Sequence, residues 1–385
     1  MQVRAFVRVA EVGSVSKASR MLFRAQSVVT RSITSLEQYL QVPLFERHPL
    51  GMRLSDYGDT LLPRARRLLA ELDSVPLLLG QSAEPLYLFQ TRRLQLFVKL
   101  CETRHMQTVA SVFGLTQPAV SAALQVLEDG CGCSLFERTP RGLQPTRMSQ
   151  EILFPIRRAL NELRHLEVDL AAKRGRLQGV VHVGALPLGR TRILPEAIVR
   201  LAAKHPAVRV VTNESPFDQL ATEMRAGDVD FIFGALRSPD YSSDLKGEAL
   251  LTEEMVIVVR REHPLLQRAI NLTELEQAQW VLPRAGSPAR QMLDACFNEM
   301  GISAPIAQVE SADMAIISGL LLRSDMMAVV SAHQLERDLH SGELSIMPWP
   351  LNNTERDIGF IYRNGCMHTV AAQALMQEIR TIVTR

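Results

Sequence analysis

Little in this chain points to covalent cross-links, metal chemistry or membrane insertion. Its 385 residues hold five cysteines, an odd number for so long a chain: Cys101, Cys131, Cys133, Cys296 and Cys366. No disulfide framework is expected from them. Cys131-Gly132-Cys133 with Cys101 and His105 fits no common zinc spacing, so reduced thiols near a helix end are expected, and no metal. The nine histidines are scattered, and aromatic residues make up only 5%. No apolar run is long enough to span a bilayer, and the first residues lack a leader pattern. A cytoplasmic protein without a membrane partner is therefore expected. G-x-S-x-G and glycine-rich phosphate loops are missing as well, which argues against an enzyme and against a bound cofactor.

Strong net charge is also lacking, since the whole chain sums to +2. That average hides an asymmetry. Residues 1–176 hold 24 Lys/Arg against 16 Asp/Glu, and the remainder holds 19 against 25. A basic front half joined to an acidic back half suggests a nucleic-acid-binding part and a part with another task.

What the front half does contain is a pattern at Thr108–Arg147. Ala110, Val112 and Phe113 fit one face of a short helix, and Gly114-Leu115 breaks it. Thr116 then stands where a second helix is capped, with Pro118 in its first turn. Val120, Leu124 and Leu127 recur at helical spacing and should face a core. Gln117, Ser121, Ala122 and Gln125 form a small, polar opposite face, which suits a major groove. Leu135-Phe136-Glu137-Arg138 and Arg141-Gly142 read as a hairpin wing with two cations for phosphates.

The run A-x-x-F-x-x-T-Q-P-A-V-S, then Leu127-Glu128, then Leu135–Arg138, resembles the winged helix-turn-helix of LysR-type transcriptional regulators. The resemblance implies double-stranded promoter DNA as a partner, with Thr116, Gln117, Pro118, Ser121, Gln125, Arg138 and Arg141 at the interface. It also implies a homodimer or homotetramer. In this family the helix after the winged segment pairs with its mate, and Glu151–Lys173, with a heptad-like apolar stripe, is the better candidate for that role.

The pattern occurs twice. Shifted by 91 residues, Phe6–Gly51 lies on Phe97–Gly142 without a gap, and 13 positions coincide. The first fifty residues thus resemble a second, divergent winged helix. Ala18, Met21 and Leu22 make its first core face. Gln26, Thr30, Arg31 and Arg47 stand where a reading copy would contact DNA, although Ser27 and Val28 replace Pro118 and Ala119; the alternative is that the helix Thr60–Leu79 packs against the second copy or the Glu151–Lys173 helix and the first copy is a scaffold. Only Met1–Ala5 precede Phe6, where the resemblance implies several more residues, so a clipped first helix or a misassigned start is expected. Thr60–Leu79 reads as a leucine-rich helix with Arg64, Arg66 and Arg67 on its other faces, limited by Pro63 and Pro76.

The back half alternates strand patterns (Val180–Leu186, Val208–Glu214, Asp230–Leu236, Met255–Arg260, Trp280–Leu282, Ala307–Glu310, Met327–Ser331, Ile358–Arg363) with helix patterns (Ile193–Lys204, Phe217–Ala226, Arg290–Met300, Met314–Leu322, Thr369–Val383), which predicts a parallel sheet with helices on its faces. Its order resembles the effector domain of the same family, a two-lobed α/β fold like periplasmic solute-binding proteins. The expected organisation is a first winged helix over 1–58, helix and linker over 59–85, and a second winged helix over 86–148. A linker helix follows over 149–176, then an effector domain over 177–385. Within that domain one lobe takes 177–253 and 354–385, the other 254–353.

Open α/β sheets bind ligands at strand ends where loops meet helix starts. Leu186–Thr191 and Arg284–Arg290 are two such loops. Pro187, Arg190, Thr191, Arg237, Ser287 and Arg290 are accordingly the expected effector residues, with Ser287 capping a helix. The effector is expected to be a small anion, with a carboxylate as candidate. The resemblance implies aromatic-acid catabolism as a setting. A metabolic enzyme and a nonspecific architectural DNA-binding protein are the competing readings. The first lacks a motif, and the second leaves the back half without a task.

Overall fold

Helix ends in the front half follow from capping and from left-handed backbone positions. The computed structural model describes residues 2–384 except 49, 50, 83, 141, 239 and 240, and leaves out the Arg47 side chain. The chain divides into two compact units. One holds residues 1–179 with 222–229 and 367–371; the other holds residues 180–221, 230–366 and 372–385.

The first unit repeats one element order. α1 (Gln2–Val12), α2 (Val15–Met21), α3 (Gln26–Leu40), β1 (Phe45–His48), β2 (Gly51–Leu54) and α4 (Asp56–Leu78) come first. α5 (Thr91–Thr103), α6 (Met106–Phe113), α7 (Gln117–Cys131), β3 (Phe136–Thr139), β4 (Gly142–Pro145) and α8 (Arg147–Lys173) follow. β1 pairs antiparallel with β2, and β3 with β4. Ser55 caps α4 by accepting from the Gly58 amide at 3.1 Å, and Thr146 caps α8 by accepting from the Ser149 amide at 3.3 Å. Pro63 and Pro76, expected to limit the first long helix, lie inside it, as Pro155 lies inside α8.

Three corrections concern faces. In α6 the buried residues are Val109 and Ala110, whereas Val112 is exposed. Positions 109, 110 and 113 share a face at 3.6 residues per turn, and 112 leaves it. In α2, Met21 is likewise exposed beside buried Ala18 and Leu22. Arg64 is fully buried rather than outward, because it shares a stripe with Leu61, Ala65, Leu68 and Leu72.

α4 and α8 run antiparallel. Arg64 meets Glu162 at 2.6 Å and also Asp169, while Glu71 meets Arg158 at 2.8 Å. The stripe of α8 expected to receive a second chain is therefore largely covered within this one: Ile152, Ile156, Leu166 and Leu170 are buried, and Leu160 and Leu163 half-buried. Leu68, Leu72 and Val75 of α4 join the core around α5–α7. Leu166 and Leu170 of α8 join the core around α1–α3. Each long helix completes the core of the other segment. Cys131 lies in the α5–α7 core with Cys101 and Cys133 packed against it.

The second unit contains two five-stranded sheets. β5 (Gly179–Ala185), α9 (Pro187–Arg190), α10 (Ile193–Lys204), β6 (Val208–Asn213), α11 (Phe217–Ala226), β7 (Phe231–Ala235) and β8 (Leu245–Glu253) open it. β9 (Met255–Arg260), α12 (Leu272–Gln277), β10 (Trp280–Leu282), α13 (Pro288–Glu299) and β11 (Ala307–Glu310) continue. Next come α14 (Met314–Leu321), β12 (Met327–Ser331), α15 (Glu336–His340) and β13 (Leu344–Ile346). β14 (Arg356–Arg363) and α16 (Val370–Val383) close the chain. The strand orders are β6-β5-β7-β14-β8 and β11-β10-β12-β9-β13. The sheets are mixed, not largely parallel: β14 runs antiparallel to β7 and β8, and β9 antiparallel to β12 and β13. Strand direction reverses because the chain crosses from one sheet to the other and back. At the crossings the Thr354 hydroxyl accepts from the Met255 amide at 3.3 Å.

Candidate DNA-binding surface and effector cleft

The α6–turn–α7 segment presents its helix front to solvent. Gly114 takes φ +63 at the turn, a left-handed position that glycine fills at little cost. Thr116 stands before the helix but makes no side-chain cap hydrogen bond, so Pro118 and the tertiary core set this helix start. Val120, Leu124 and Leu127 point into the core. Gln117, Pro118, Ala119, Ala122 and Gln125 are exposed, and Ser121 is half-buried. The Gln125 amide donates to Asp129 at 2.7 Å, which holds it along the helix.

The wing is tied to this helix by one carboxylate. Glu128 accepts from the Leu135 amide at 2.7 Å and the Phe136 amide at 3.3 Å. That explains why Leu127-Glu128 and Leu135-Phe136 belong to one pattern. Arg138 is exposed on β3, and Arg141 lies outside the described residues. Sequence reasoning passed over Arg92. Its guanidinium lies 4.4 Å from the centre of the Phe113 ring and donates to the Phe113 carbonyl, beside the turn.

The α1–β2 segment repeats this construction. Glu37 accepts from the Leu44 amide at 2.7 Å and the Phe45 amide at 3.3 Å. Gln26, Thr30 and Arg31 are exposed along the front of α3. Arg47 belongs to β1, and its side chain lies outside the described residues.

In the second unit a cleft of about 980 Å³ takes Pro187, Arg190, Arg237 and Ser287 into its lining. It does not take in Thr191 or Arg290. Thr191 is exposed at the end of α9, one residue past the part that faces the cleft. Arg290 is drawn away by Asp294 at 2.7 Å and the Pro305 carbonyl at 3.1 Å. Ser287 caps α13 by accepting from the Arg290 amide at 3.3 Å, and Glu310 takes the Ala285 amide at 3.2 Å. The chain thus spends part of this loop's anion-binding capacity on itself.

Arg190 donates to the Ala185 carbonyl at 2.7 Å and the Glu214 carbonyl at 3.3 Å. Arg237 lies 4.1 Å from the centre of the Phe217 ring. Sequence reasoning missed Arg356, at the start of β14 in the same lining. Its Nε is buried without a hydrogen-bond partner among the described residues. Burial pushes the guanidinium of Arg356 below its ordinary pKa; Glu253 opposes this and Arg237 adds to it. Burial lowers Arg237 and Arg190 likewise. Cations held in this way gain from an added anion. Leu186, Leu188, Phe217, Met255, Val281 and Met314 supply apolar wall.

Helix–turn–helix with wing, followed by a two-sheet α/β unit with a cleft, defines a ligand-responsive DNA-binding regulator. A model of the bacterial regulatory helix-turn-helix protein, lysR family, matches residues 1–59 and again 91–150. One of the LysR substrate binding domain matches residues 174–383. The chain belongs to the LysR family of transcriptional regulators and is not an enzyme. It is 67% identical over 385 residues to the HTH-type transcriptional regulator GalR of Pseudomonas putida, covering all of this chain and 97% of that protein. The HTH-type transcriptional regulator PcaQ of Agrobacterium fabrum is 28% identical over 75% of this chain and 93% of its own length. A full-length OxyR variant of Pseudomonas aeruginosa shares the fold with a TM-score of 0.59 at 20% identity, covering 76% of this chain and 95% of that one. Full-length CbnR complexed with its target DNA gives 0.54 at 20% identity, over 76% and 99%. PcaQ, OxyR and CbnR thus align over nearly all their length while leaving about a quarter of this chain over.

Proposed function

We propose that the chain is a sequence-specific regulator acting on promoter DNA in the cytoplasm, carrying a duplicated winged helix and controlled by a small anion bound in the cleft. Base reading belongs to α7, through Gln117, Pro118 and Ser121, with Arg138 and Arg141 on phosphates. The observation that supports this best is the exposed polar front of α7 above a wing that Glu128 ties to the same helix. Gln117→Ala should weaken specific binding far more than binding to random DNA, since one good base contact is worth roughly 1–3 kcal/mol. Arg138→Ala should weaken both alike and flatten the salt dependence. Equal losses on both DNAs for Gln117→Ala would remove α7 as the reader.

The effector reading rests on the half-buried arginines. Arg237 and Arg356 stand close together in a cleft whose wall is apolar at Leu186, Phe217, Met255 and Val281 but also carries Arg190, Arg284, Glu310 and Asp313, and the pair suits a carboxylate on an apolar body. Calorimetry of the full chain against a panel of benzoates and short aliphatic acids tests this. Arg237→Gln and Arg356→Gln should each cut affinity for the best acid about tenfold or more, since a charge-assisted hydrogen bond is worth roughly 1.5–3 kcal/mol. Unchanged affinity in both variants would refute the anion site.

A further inference from the structure

The helix pair α4–α8 lies within one chain, and it places both winged segments in one rigid frame. Arg64 opposite Glu162 and Asp169, with Glu71 opposite Arg158, fixes the antiparallel register. In that register the first residue of α8 stands opposite position 82, so the starts of α4 and α8 are about 40 Å apart at ~1.5 Å per residue. Each winged segment joins its long helix at that helix's start. The two winged segments therefore join the pair at opposite ends, and the ~40 Å between these junctions is on the scale of the ~34–36 Å of one duplex turn. The shared cores hold them there, since each long helix is built into the other segment.

The two fronts are alike in form and unlike in chemistry. Gln26 and Gln117 occupy the same first position of α3 and α7, both exposed. Around them Ser27 faces Pro118 in the alignment, Thr30 faces Ser121, and Arg31 faces Ala122. Arg31 and Ala122 are both exposed. An arginine in a major groove suits the paired acceptors of guanine, while an alanine there suits the methyl of thymine.

We propose that one chain is a complete two-headed reader, whose target is a pair of unlike half-sites about one helical turn apart: a guanine-containing one read by α3 and an A·T-leaning one read by α7. A symmetric dimer of single-headed chains imposes a palindrome on its DNA. Two different heads in one chain impose an asymmetric unit, and self-association of the chain repeats that whole unit. The proposal rests on the reading of α7 as a DNA-contacting helix.

The test is selection of sites from a randomised duplex pool by the full-length protein, repeated with Arg31→Ala, Ala122→Arg and Gln117→Ala. All three positions are on the surface, and circular dichroism checks that the variants stay folded. The wild-type protein should select two different half-sites. Arg31→Ala should relax the guanine preference in one half only, by about tenfold. Ala122→Arg should introduce a guanine preference in the other half. Identical half-sites in the wild-type selection would overturn the proposal, and so would an unchanged site with Arg31→Ala. If Gln117→Ala also leaves every base preference unchanged, the failure lies in the DNA-reading assignment itself.

Discussion

Arg64 is the point at which the α4–α8 pair can be challenged directly. Its guanidinium is fully buried and faces two carboxylates that are themselves buried, Glu162 at 2.6 Å and Asp169. Burial alone would lower its pKa, but hydrogen bonds and charge from Asp169 and Glu162 outweigh that and raise it. Removing the cation leaves two uncompensated carboxylates inside the helix interface. Breaking a buried ion pair from one side costs about 3–5 kcal/mol. Arg64→Met keeps most of the stem volume, so the cavity contribution stays small and the loss reports mainly on charge. Adding Glu162→Gln and Asp169→Asn to Arg64→Met removes the stranded charges and should recover most of the loss. Urea unfolding gives the total change, and amide hydrogen exchange along α4 and α8 shows whether the interface itself opens. If Arg64→Met costs less than about 1 kcal/mol, or if the triple variant is no more stable than the single one, the ion cluster does not hold the pair.

Three further outcomes follow from local geometry. Gln41 ends α3 at φ +55, where α7 has Gly132 at φ +67. Gln41→Gly should therefore raise stability by about 0.5–1 kcal/mol in thermal unfolding, and a destabilised variant would contradict the backbone argument. Glu128→Ala strands the amides of Leu135 and Phe136 and should cost roughly 1–3 kcal/mol while lowering affinity for specific and random DNA together; an intact salt slope would show the wing unaffected. Burial pushes the Cys101 and Cys131 thiols up from 9.0 to about 12. A folded pKa raised above the unfolded one leaves their share of stability whole below pH 9 and removes it as pH rises towards 12. Both thiols should therefore resist iodoacetamide at pH 8 in the folded protein, and rapid labelling of either would contradict their burial.

How much of this was legible beforehand differs between the halves. The winged segments were readable because their signals are local: turn glycine, helix-front proline, and the paired Leu-Glu and Leu-Phe-Glu-Arg. Helices and strands such as Ile193–Lys204, Phe217–Ala226 and Met327–Ser331 match their sequence patterns for the same reason. The crossings near 253 and 354 came with the family resemblance, but the antiparallel strands they produce were not read, because alternation of elements by itself suggests a parallel sheet. β8 was missed since Leu245–Glu253 is an edge strand with a mixed polar pattern. Arg64 was missed because an arginine among arginines on a helix reads as solvated; only the partner helix, about a hundred residues away, supplies its carboxylates. Arg356 escaped for a similar reason. Its burial arises only when the chain returns to the first sheet at β14, whereas Thr191 and Arg290 lay on the recognisable loops and turned away.

The repeat within the chain separates what the fold requires from what a reading head is free to change. Phe6 packs edge-on to Phe45 at 5.6 Å, and Phe97 to Phe136 at 6.0 Å. Glu11 and Glu102 each pair with the cation three residues before it, at 3.0 Å in both copies. Glu37 and Glu128 hold the same two wing amides at the same distances. Where residues differ, the backbone still coincides: left-handed positions fall at Gly13 and Arg104, Phe23 and Gly114, Gln41 and Gly132. These are geometric demands, and a non-glycine residue in them costs about 1–2 kcal/mol. The outward positions of α3 and α7 show no such demand, and there the copies part, at Ser27/Pro118, Thr30/Ser121 and Arg31/Ala122. Gln26 and Gln117 are the exception, alike although they are exposed and bear no core load. An exposed helix position accepts any polar side chain, so packing does not require the shared glutamine. The α4–α8 contact is what a scaffold role for the first copy would use, and Gln26 is the residue on which the proposed reading role of that copy rests.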